Sequence, residues 1–279
     1  MIRVGVVGVG NMGRHHARVY YELSKEGLEV ELVGVADKNP ERARTVAGTY
    51  GTRAYIDYRD LIRAGVDAVS IVVPTMFHRD VALDFIRSGV HVLVEKPIAP
   101  TYAEAIEMIR EAESNGVILM VGHIERFNPA VQKLKELINR GLLGRLLVLT
   151  ARRVGPLPPQ IRDTGVTVDL AVHDVDVIYY VTGKEIRDMV IRSGSALHPL
   201  NHDDYTVILM ELNDGILGVV EANWLTPYKL RKLYVTGDKA VAELDYIQQI
   251  LVIHDREFTI NVKIEKSEPL KNELKHFIE

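Results

Sequence analysis

Apolar residues fall in short blocks along the first 121 positions, separated by stretches of helical period. The blocks at 2–7, 30–36, 68–73, 90–94 and 117–121 are rich in valine, isoleucine and leucine, and each has the length of one buried strand. Between them, 11–26, 40–50, 78–88 and 101–115 carry apolar positions at helical spacing and predict helices. Punctuation agrees with this division. Asn39 is a cap candidate in front of Pro40, which a first helical turn tolerates. Thr101 and Glu104 form a capping-box pair ahead of an amphipathic run. Strands alternating with helices imply a parallel, doubly wound sheet, with ligands at the carboxyl ends of its strands.

After Gly122 the pattern changes. Residues 128–140 predict a helix, 144–153 a strand, 154–165 a proline-rich loop and 168–180 another helix. From Ile186 to Val262, β-type runs are broken by turn signals at Asn213-Asp214-Gly215, Thr236-Gly237-Asp238 and His254-Asp255. The run Tyr205–Met210 alternates with period two, imperfectly. Such a series predicts a mostly antiparallel sheet, and 269–279 predicts a final helix. The expected fold class is α/β: a doubly wound parallel sheet over 1–121, then an α+β domain over 122–279 with a mostly antiparallel open sheet. That sheet is expected to cover substrate or to join copies of the chain into a homo-oligomer, a dimer or tetramer.

The first strand runs directly into Gly8-Val9-Gly10-Asn11-Met12-Gly13, which opens the first helix, and the second strand ends in Asp37. This is the dinucleotide fingerprint of a Rossmann sheet in its proper context. Gly8 permits the tight turn, Gly10 lets backbone approach a pyrophosphate, and Gly13 lets helix and strand pack closely. The helix N-terminus offers N–H groups and the positive dipole end to phosphates. Asp37 can accept hydrogen bonds from an adenine ribose, and its charge repels a 2′-phosphate. The expected cofactor is therefore NAD rather than NADP.

Composition narrows the function classes. With 279 residues and 47% hydrophobic content, the chain has material for a sizeable core, and its net charge of −4 has no long single-sign run. Nothing in it suggests a nucleic-acid or membrane partner. It has no cysteine, so disulfides, thiolate metal sites and a cysteine nucleophile are excluded. No apolar run is long enough to span a membrane and no signal peptide is evident, so a cytoplasmic location is expected.

Four clusters fall where this scaffold places an active site. The first, Val73-Pro74-Thr75 with His78, follows a strand. The second is Glu95-Lys96-Pro97, where proline can fix the turn, as a cis peptide if need be, and hold Lys96 toward the cleft. The third, after the fifth strand, holds His123, Arg126 and Asn128. The fourth is Asp169-x-x-x-His173, one helical turn apart on one face. The bland alternatives are that Lys96 is a solvated loop charge and that Asp169 and His173 are a structural pair. His198, His202, Asp203 and Asp204 read better as a polar turn than as metal ligands, and no metal is expected. His15 and His16 suit surface or packing roles. Trp224, the only tryptophan, suits a core or interface at least as well as a sugar pocket.

These residues together resemble the glucose–fructose oxidoreductase / inositol dehydrogenase (Gfo/Idh/MocA) family, over nearly the whole chain. The resemblance is carried by Gly-Val-Gly-Asn-Met-Gly at 8–13, Glu95-Lys96-Pro97, and Asp-Leu-Ala-Val-His at 169–173. Val121–Pro129, Arg152–Pro156 and Asn223–Pro227 look more closely like the branch that oxidises UDP-N-acetylglucosamine at its 3-hydroxyl. Family members usually continue past the segment matching Lys271–Glu279 with a further loop and helix; this sequence departs from that pattern. The resemblance implies that Lys96, His173 and Asp169 are catalytic. It also implies that Gly8, Gly10, Asn11, Met12, Gly13, Asp37, Val73, Pro74, Thr75, His78, Glu95 and Lys96 bind cofactor. Lys96, His123, Arg126, Asn128, Arg153, Asp169 and His173 would bind substrate.

The expected mechanism has His173 as general base on a sugar hydroxyl. Lys96 stabilises the charge that develops on the same oxygen, and Asp169 holds neighbouring hydroxyls. Cations at Arg152, Arg153, Arg162, Lys229 and Arg231 would meet a diphosphate, with Asp163 on the same proline-stiffened loop. Two other readings stand beside this one: a dehydrogenase of a free polyol such as inositol, and a non-catalytic NAD-binding regulator.

Overall fold

The computed structural model describes residues 1–158, 164–197 and 202–279. Arg162, Asp163 and His198 lie outside the described residues, as does the middle of the proline-rich loop. The chain divides into two compact units, Met1–His123 with Leu270–Glu279, and Ile124–Pro269.

The first unit alternates strand and helix. Its elements are β1 (Ile2–Val7), α1 (Gly13–Lys25), β2 (Val30–Ala36), α2 (Pro40–Tyr50), β3 (Arg53–Tyr55), α3 (Arg59–Arg63), β4 (Ala68–Ile71), α4 (His78–Arg87), β5 (His91–Glu95), α5 (Tyr102–Asn115) and β6 (Leu119–Gly122). All six strands are parallel, in the order β3-β2-β1-β4-β5-β6. The central strands read as unbroken apolar runs because helices cover both faces of such a sheet. The strand order reverses between β1 and β4, and that switch point is where a doubly wound sheet binds its ligand. Helix ends follow local rules. Asn39 Oδ1 accepts from the backbone N–H of Glu41 and Arg42 at 3.0 and 3.1 Å, with Pro40 in the first turn and Gly51 closing α2 at φ 66°. Thr101 Oγ1 accepts from Glu104 N at 3.3 Å and donates to the Glu104 carboxylate at 2.7 Å.

The sequence pattern does not disclose β3 and α3. β3 is a three-residue edge strand with Arg53 and Ala54 exposed, so it carries no apolar block.

The second unit comprises α6 (Pro129–Asn139), β7 (Leu146–Pro156), α7 (Val172–Thr182), β8 (Ile186–Gly194), β9 (Tyr205–Leu212), β10 (Leu217–Asn223), β11 (Leu225–Gly237), β12 (Val241–Asp245), β13 (Ile250–His254) and β14 (Thr259–Val262). Its eight strands run in the order β14-β13-β12-β11-β7-β10-β9-β8. Every pair is antiparallel except β7 with β10. One face is core: Leu149, Ala151, Ile208, Met210, Leu233 and Val235 pack in one cluster with Leu134 of α6 and Ile178 of α7. The other face is open, and β9 alternates exposed and buried at every position. β7 continues three residues beyond the expected end at Arg153, because Val154 and Pro156 still pair with β11.

The last helix, α8 (Pro269–Ile278), corrects the expected division at 122–279. It belongs to the first unit, into which Leu270, Leu274 and Phe277 bury its apolar side. Among the described residues no helix is long and apolar enough to cross a membrane.

Candidate active-site residues

At the carboxyl ends of the parallel strands, the glycine fingerprint has the stereochemistry that its sequence demands. Gly8 sits at φ 84°, and a Cβ there would come within 2.5 Å of Val72 O. A Cβ on Gly13 would collide with Gly8 O, so α1 packs against its own turn only as glycine. Gly10 differs: a Cβ there would have only the Arg42 guanidinium within 4 Å, at 3.8 Å. The backbone at Gly10 thus faces open space, while α1 starts with neither a side-chain cap nor an acid in its first turn. Open approach beside uncapped helix N–H groups fits a dinucleotide pyrophosphate. Asp37 closes the ribose end of this site. Its Oδ2 accepts from Val9 N at 2.9 Å, its Oδ1 accepts from Asn39 N at 2.8 Å, and Arg42 Nη1 stands 3.4 Å from Oδ2. Each carboxylate oxygen keeps a lone pair for a ribose hydroxyl.

Val73, Pro74 and Thr75 follow β4 with partly or fully exposed side chains. His78 does not join them. It is 1% exposed, and its two ring nitrogens lie 2.9 Å from the carbonyl oxygens of Val73 and Pro97. The ring is a strut between the loops that follow β4 and β5, not a cofactor contact. Glu95 is likewise turned inward. His16 Nε2 donates to its Oε1 at 3.1 Å, and Lys96 N donates to its Oε2 at 3.2 Å. Gly122 makes room for it, since a Cβ there would lie 3.3 Å from the carboxylate. Burial pushes the Glu95 carboxyl up, but the His16 hydrogen bond and the Lys96 charge outweigh burial and hold it below its ordinary value. The Lys96–Pro97 peptide is cis, and Lys96 is half-buried at this turn. His123 follows β6, half-buried, its N–H on Val121 O at 2.8 Å.

In the second unit, Asp169 and His173 straddle a change of helix type. Residues Thr167–Ala171 form a π-helical turn, and α7 continues it from Val172. The expected single α-helix is therefore interrupted where Asp169 sits, a feature frequent at functional sites. Four residues nearly complete one wider turn, so Asp169 and His173 still share a side. Asp203 anchors the start of this turn: its Oδ2 accepts from Thr167 N and Oγ1 at 2.8 and 2.5 Å. Asp204 Oδ2 accepts from Ala196 and Leu197 N at 2.6 Å. Both aspartates build turns, and among the described residues no group of His, Asp and Glu is disposed to hold a metal.

Three expected substrate contacts serve instead to hold the helices. Arg153 is 1% exposed. Its Nε donates to Asp174 Oδ2 at 2.6 Å and its Nη1 to Glu125 Oε1 at 2.8 Å, while its guanidinium lies 4.8 Å from the Tyr246 ring centre. Desolvation alone would lower the pKa of Arg153, but the two carboxylates outweigh it and hold the pKa above its ordinary value. Asn128 is buried, caps α6 by accepting from Ala130 N at 3.1 Å, and donates to Tyr246 O at 3.1 Å. Arg126 grips Asp176 through Nε at 2.9 and 3.1 Å and stacks 5.3 Å from the Tyr180 ring centre. Arg152, on the open face, pairs with Glu221 at 2.9 Å. Trp224 is 4% exposed and belongs to the core.

Arg231 is the cation left over. It is half-buried on β11 and makes no ion pair among the described residues. Burial lowers its pKa first and Arg153 lowers it further, against the pull of Glu125, Asp174 and Asp169. With Lys229 it lines a cavity of about 390 Å³ in this unit.

Residues 2–123 match the family model described as an oxidoreductase family with an NAD-binding Rossmann fold, and 131–243 match the GFO/IDH/MocA C-terminal domain. The UDP-N-acetylglucosamine 3-dehydrogenase of Acidithiobacillus ferrooxidans is 34% identical over 91% of this chain and 77% of its own length. A solved structure of that enzyme superposes with a TM-score of 0.90 at 33% identity, covering 99% of this chain and 87% of that one. The myo-inositol 2-dehydrogenase of Thermotoga maritima is 29% identical over 90% of this chain and 78% of its own. A levoglucosan dehydrogenase in complex with NADH and levoglucosan shares the fold, at a TM-score of 0.89 and 20% identity, over 99% of this chain and 89% of its own.

Proposed function

Because the chain belongs to the Gfo/Idh/MocA family of NAD-binding oxidoreductases, whose similar members are sugar and polyol dehydrogenases, we propose that it oxidises a hydroxyl of a nucleotide-linked sugar to a ketone. The substrate proposed is UDP-N-acetylglucosamine, oxidised at its 3-hydroxyl. Arg231 carries the diphosphate part of this reading. A half-buried guanidinium with no ion-pair partner among the described residues, in the field of Asp169, is suited to an anionic ligand. Similarity to a UDP-N-acetylglucosamine 3-dehydrogenase supports the sugar.

Bound NAD supplies the hydride acceptor. His173 takes the hydroxyl proton as general base, since an imidazole changes charge near neutral pH. Lys96 donates a hydrogen bond to the same oxygen and meets the negative charge that grows there as the carbon loses hydride. Asp169 accepts from the sugar's neighbouring hydroxyls and fixes which carbon reacts. Asp174 and Arg153 hold the helix that presents His173.

Oxidation of a free polyol is the second reading. It is favoured by the inositol dehydrogenase relative and by the engagement of Arg126, Arg152 and Arg153 in ion pairs, which leaves fewer cations for a diphosphate. Steady-state NADH formation with UDP-N-acetylglucosamine, N-acetylglucosamine and myo-inositol separates the two. The nucleotide sugar is expected to have by far the highest kcat/KM, with UDP alone as a competitive inhibitor. Arg231→Ala should raise KM for the nucleotide sugar and abolish inhibition by UDP. Equal efficiency for free sugar or inositol, without inhibition by UDP, refutes the nucleotide reading.

We infer also that the open face of the eight-stranded sheet pairs with a second copy of the chain. Tyr234, Thr150, Val219, Leu209 and Val190 form one row across β11, β7, β10, β9 and β8. Tyr234, Leu209 and Val190 are 39%, 47% and 44% exposed, which is apolar area that a monomer rarely leaves in a contiguous patch.

A further inference from the structure

The wide turn that carries Asp169 is held by a residue from another segment. A π-helical turn closes one residue further along the chain than an α-turn, and such backbone persists only where its surroundings fix it. Here the closing bond runs from Val172 N–H to Thr167 O, and Val172 directly precedes His173. Thr167–Ala171 contains neither glycine nor proline, so its own residues are compatible with an ordinary α-turn.

Asp203, which precedes β9, holds the other end of Thr167. Its Oδ2 accepts from Thr167 N and Oγ1 at 2.8 and 2.5 Å, across 36 positions of sequence. Its backbone O accepts from Val166 N at 2.9 Å. Gly165 makes room for this contact: a Cβ there would lie 1.7 Å from Asp203 Oδ1 and 3.1 Å from Asp203 N. Gly165 has no positive φ, so space for Asp203, not backbone freedom, calls for glycine.

Thr167 is therefore pinned at both backbone ends, by Asp203 at its N–H and by Val172 at its carbonyl. The far side of the turn is fixed independently, since Arg153 Nε donates to Asp174 at 2.6 Å. If the turn closed to the α form, Val172 N would bond Val168 O and one residue would leave the span. His173 would stay with Asp174, and Asp169 would move round the helix axis relative to it.

We propose that Asp203 is a positioning residue: by pinning Thr167 it keeps the wide turn open, and the wide turn sets Asp169 against His173 so that one particular sugar hydroxyl meets the base. This rests on the roles proposed for Asp169 and His173 in the reaction. The hold is exerted by an acceptor oxygen on an N–H and an O–H, so Asp203→Asn keeps it and Asp203→Ala does not. Gly165→Ala breaks it from the other side, because the added methyl group takes the place of the Asp203 carboxylate.

Crystal structures of the variants test the first link without substrate or cofactor. Asp203→Ala and Gly165→Ala should each show Val172 N bonded to Val168 O, and Asp203→Asn should retain the bond to Thr167 O. A wide turn unchanged in both alanine variants overturns the proposal. Kinetics test the second link, with whichever of UDP-N-acetylglucosamine, N-acetylglucosamine and myo-inositol the unsubstituted protein oxidises. Each alanine variant should lower kcat by about 10²-fold, as a misplacement of about 1 Å does, at unchanged KM for NAD. The double variant should lose no more than either single one, since both remove the same contact. Asp203→Asn should retain most of kcat. A fall in Tm with unchanged kcat, which a purely structural contact gives, overturns the proposal, as does an equal loss in Asp203→Asn. Absence of turnover with all three substrates refutes the substrate reading, while the crystal structures still decide whether Asp203 sets the turn.

Discussion

Replacing Arg153 by Met should unlock the second unit and weaken it. The Arg153 side chain is 1% exposed, Asp174 is 0% and Glu125 is 10%, so the substitution leaves two carboxylates in the interior without their countercharge. Removing one partner of a buried ion pair costs about 3–5 kcal/mol. At about 2–4 °C per kcal/mol, the melting transition of this unit should fall by roughly 10 °C. In the unsubstituted protein the two carboxylates hold Arg153 above its ordinary value, so the guanidinium stays charged wherever the fold persists. Urea titration followed by the fluorescence of Trp224 reports on this unit, since Trp224 is the only tryptophan and lies in its core. A loss below about 1 kcal/mol at neutral pH, the worth of a surface pair, would refute the placement of this triad as a structural lock.

Cofactor choice rests on Asp37: the unsubstituted protein should bind NAD more tightly than NADP, and Asp37→Ala, by releasing Arg42 from its pair at 3.4 Å, should narrow that gap in fluorescence titrations. His173→Ala should lower kcat by about 10²–10⁴ with NAD affinity retained, as loss of a positioned base does; unimpaired turnover would contradict the base assignment. Leu209→Asp, at the centre of the apolar row on the open sheet face, should convert the assembly to monomer in sedimentation velocity without lowering the Tm of the second unit's core. An unchanged sedimentation coefficient would place the interface elsewhere.

Most of the fold is legible in the sequence because its signals are local. Apolar blocks, the glycine fingerprint, the Asn39-Pro40 cap and the Thr101–Glu104 box each act within a few residues, and the strands and helices they mark stand within a few positions of those expected. β3 lacks an apolar block and so leaves no trace. The placement of α8 depends on which surface its apolar side meets, and amphipathicity alone says only that it meets one. The cofactor end of the first unit reads well for the same reason: Gly8, Gly13 and Asp37 are constrained by backbone within one βαβ unit. The charged residues of the second unit read poorly. Arg126, Asn128 and Arg153 have the right chemistry for substrate, but their partners Asp176, Tyr246, Asp174 and Glu125 come from other segments. A hint was available in Asp174, an acid on the side of α7 whose other buried positions, Val177, Ile178 and Val181, are apolar. Such a residue needs a buried cation, and the only question is which strand supplies it.

Asp174 couples the fold of the second unit to the residue proposed as its base. Asp174 directly follows His173 and is matched by Arg153 at 2.6 Å. The contact that holds α7 to its sheet also fixes the backbone from which the His173 imidazole projects, so on the proposed mechanism stability and turnover in the second unit stand or fall together. Asp174→Asn should lower both Tm and kcat, because one contact serves both.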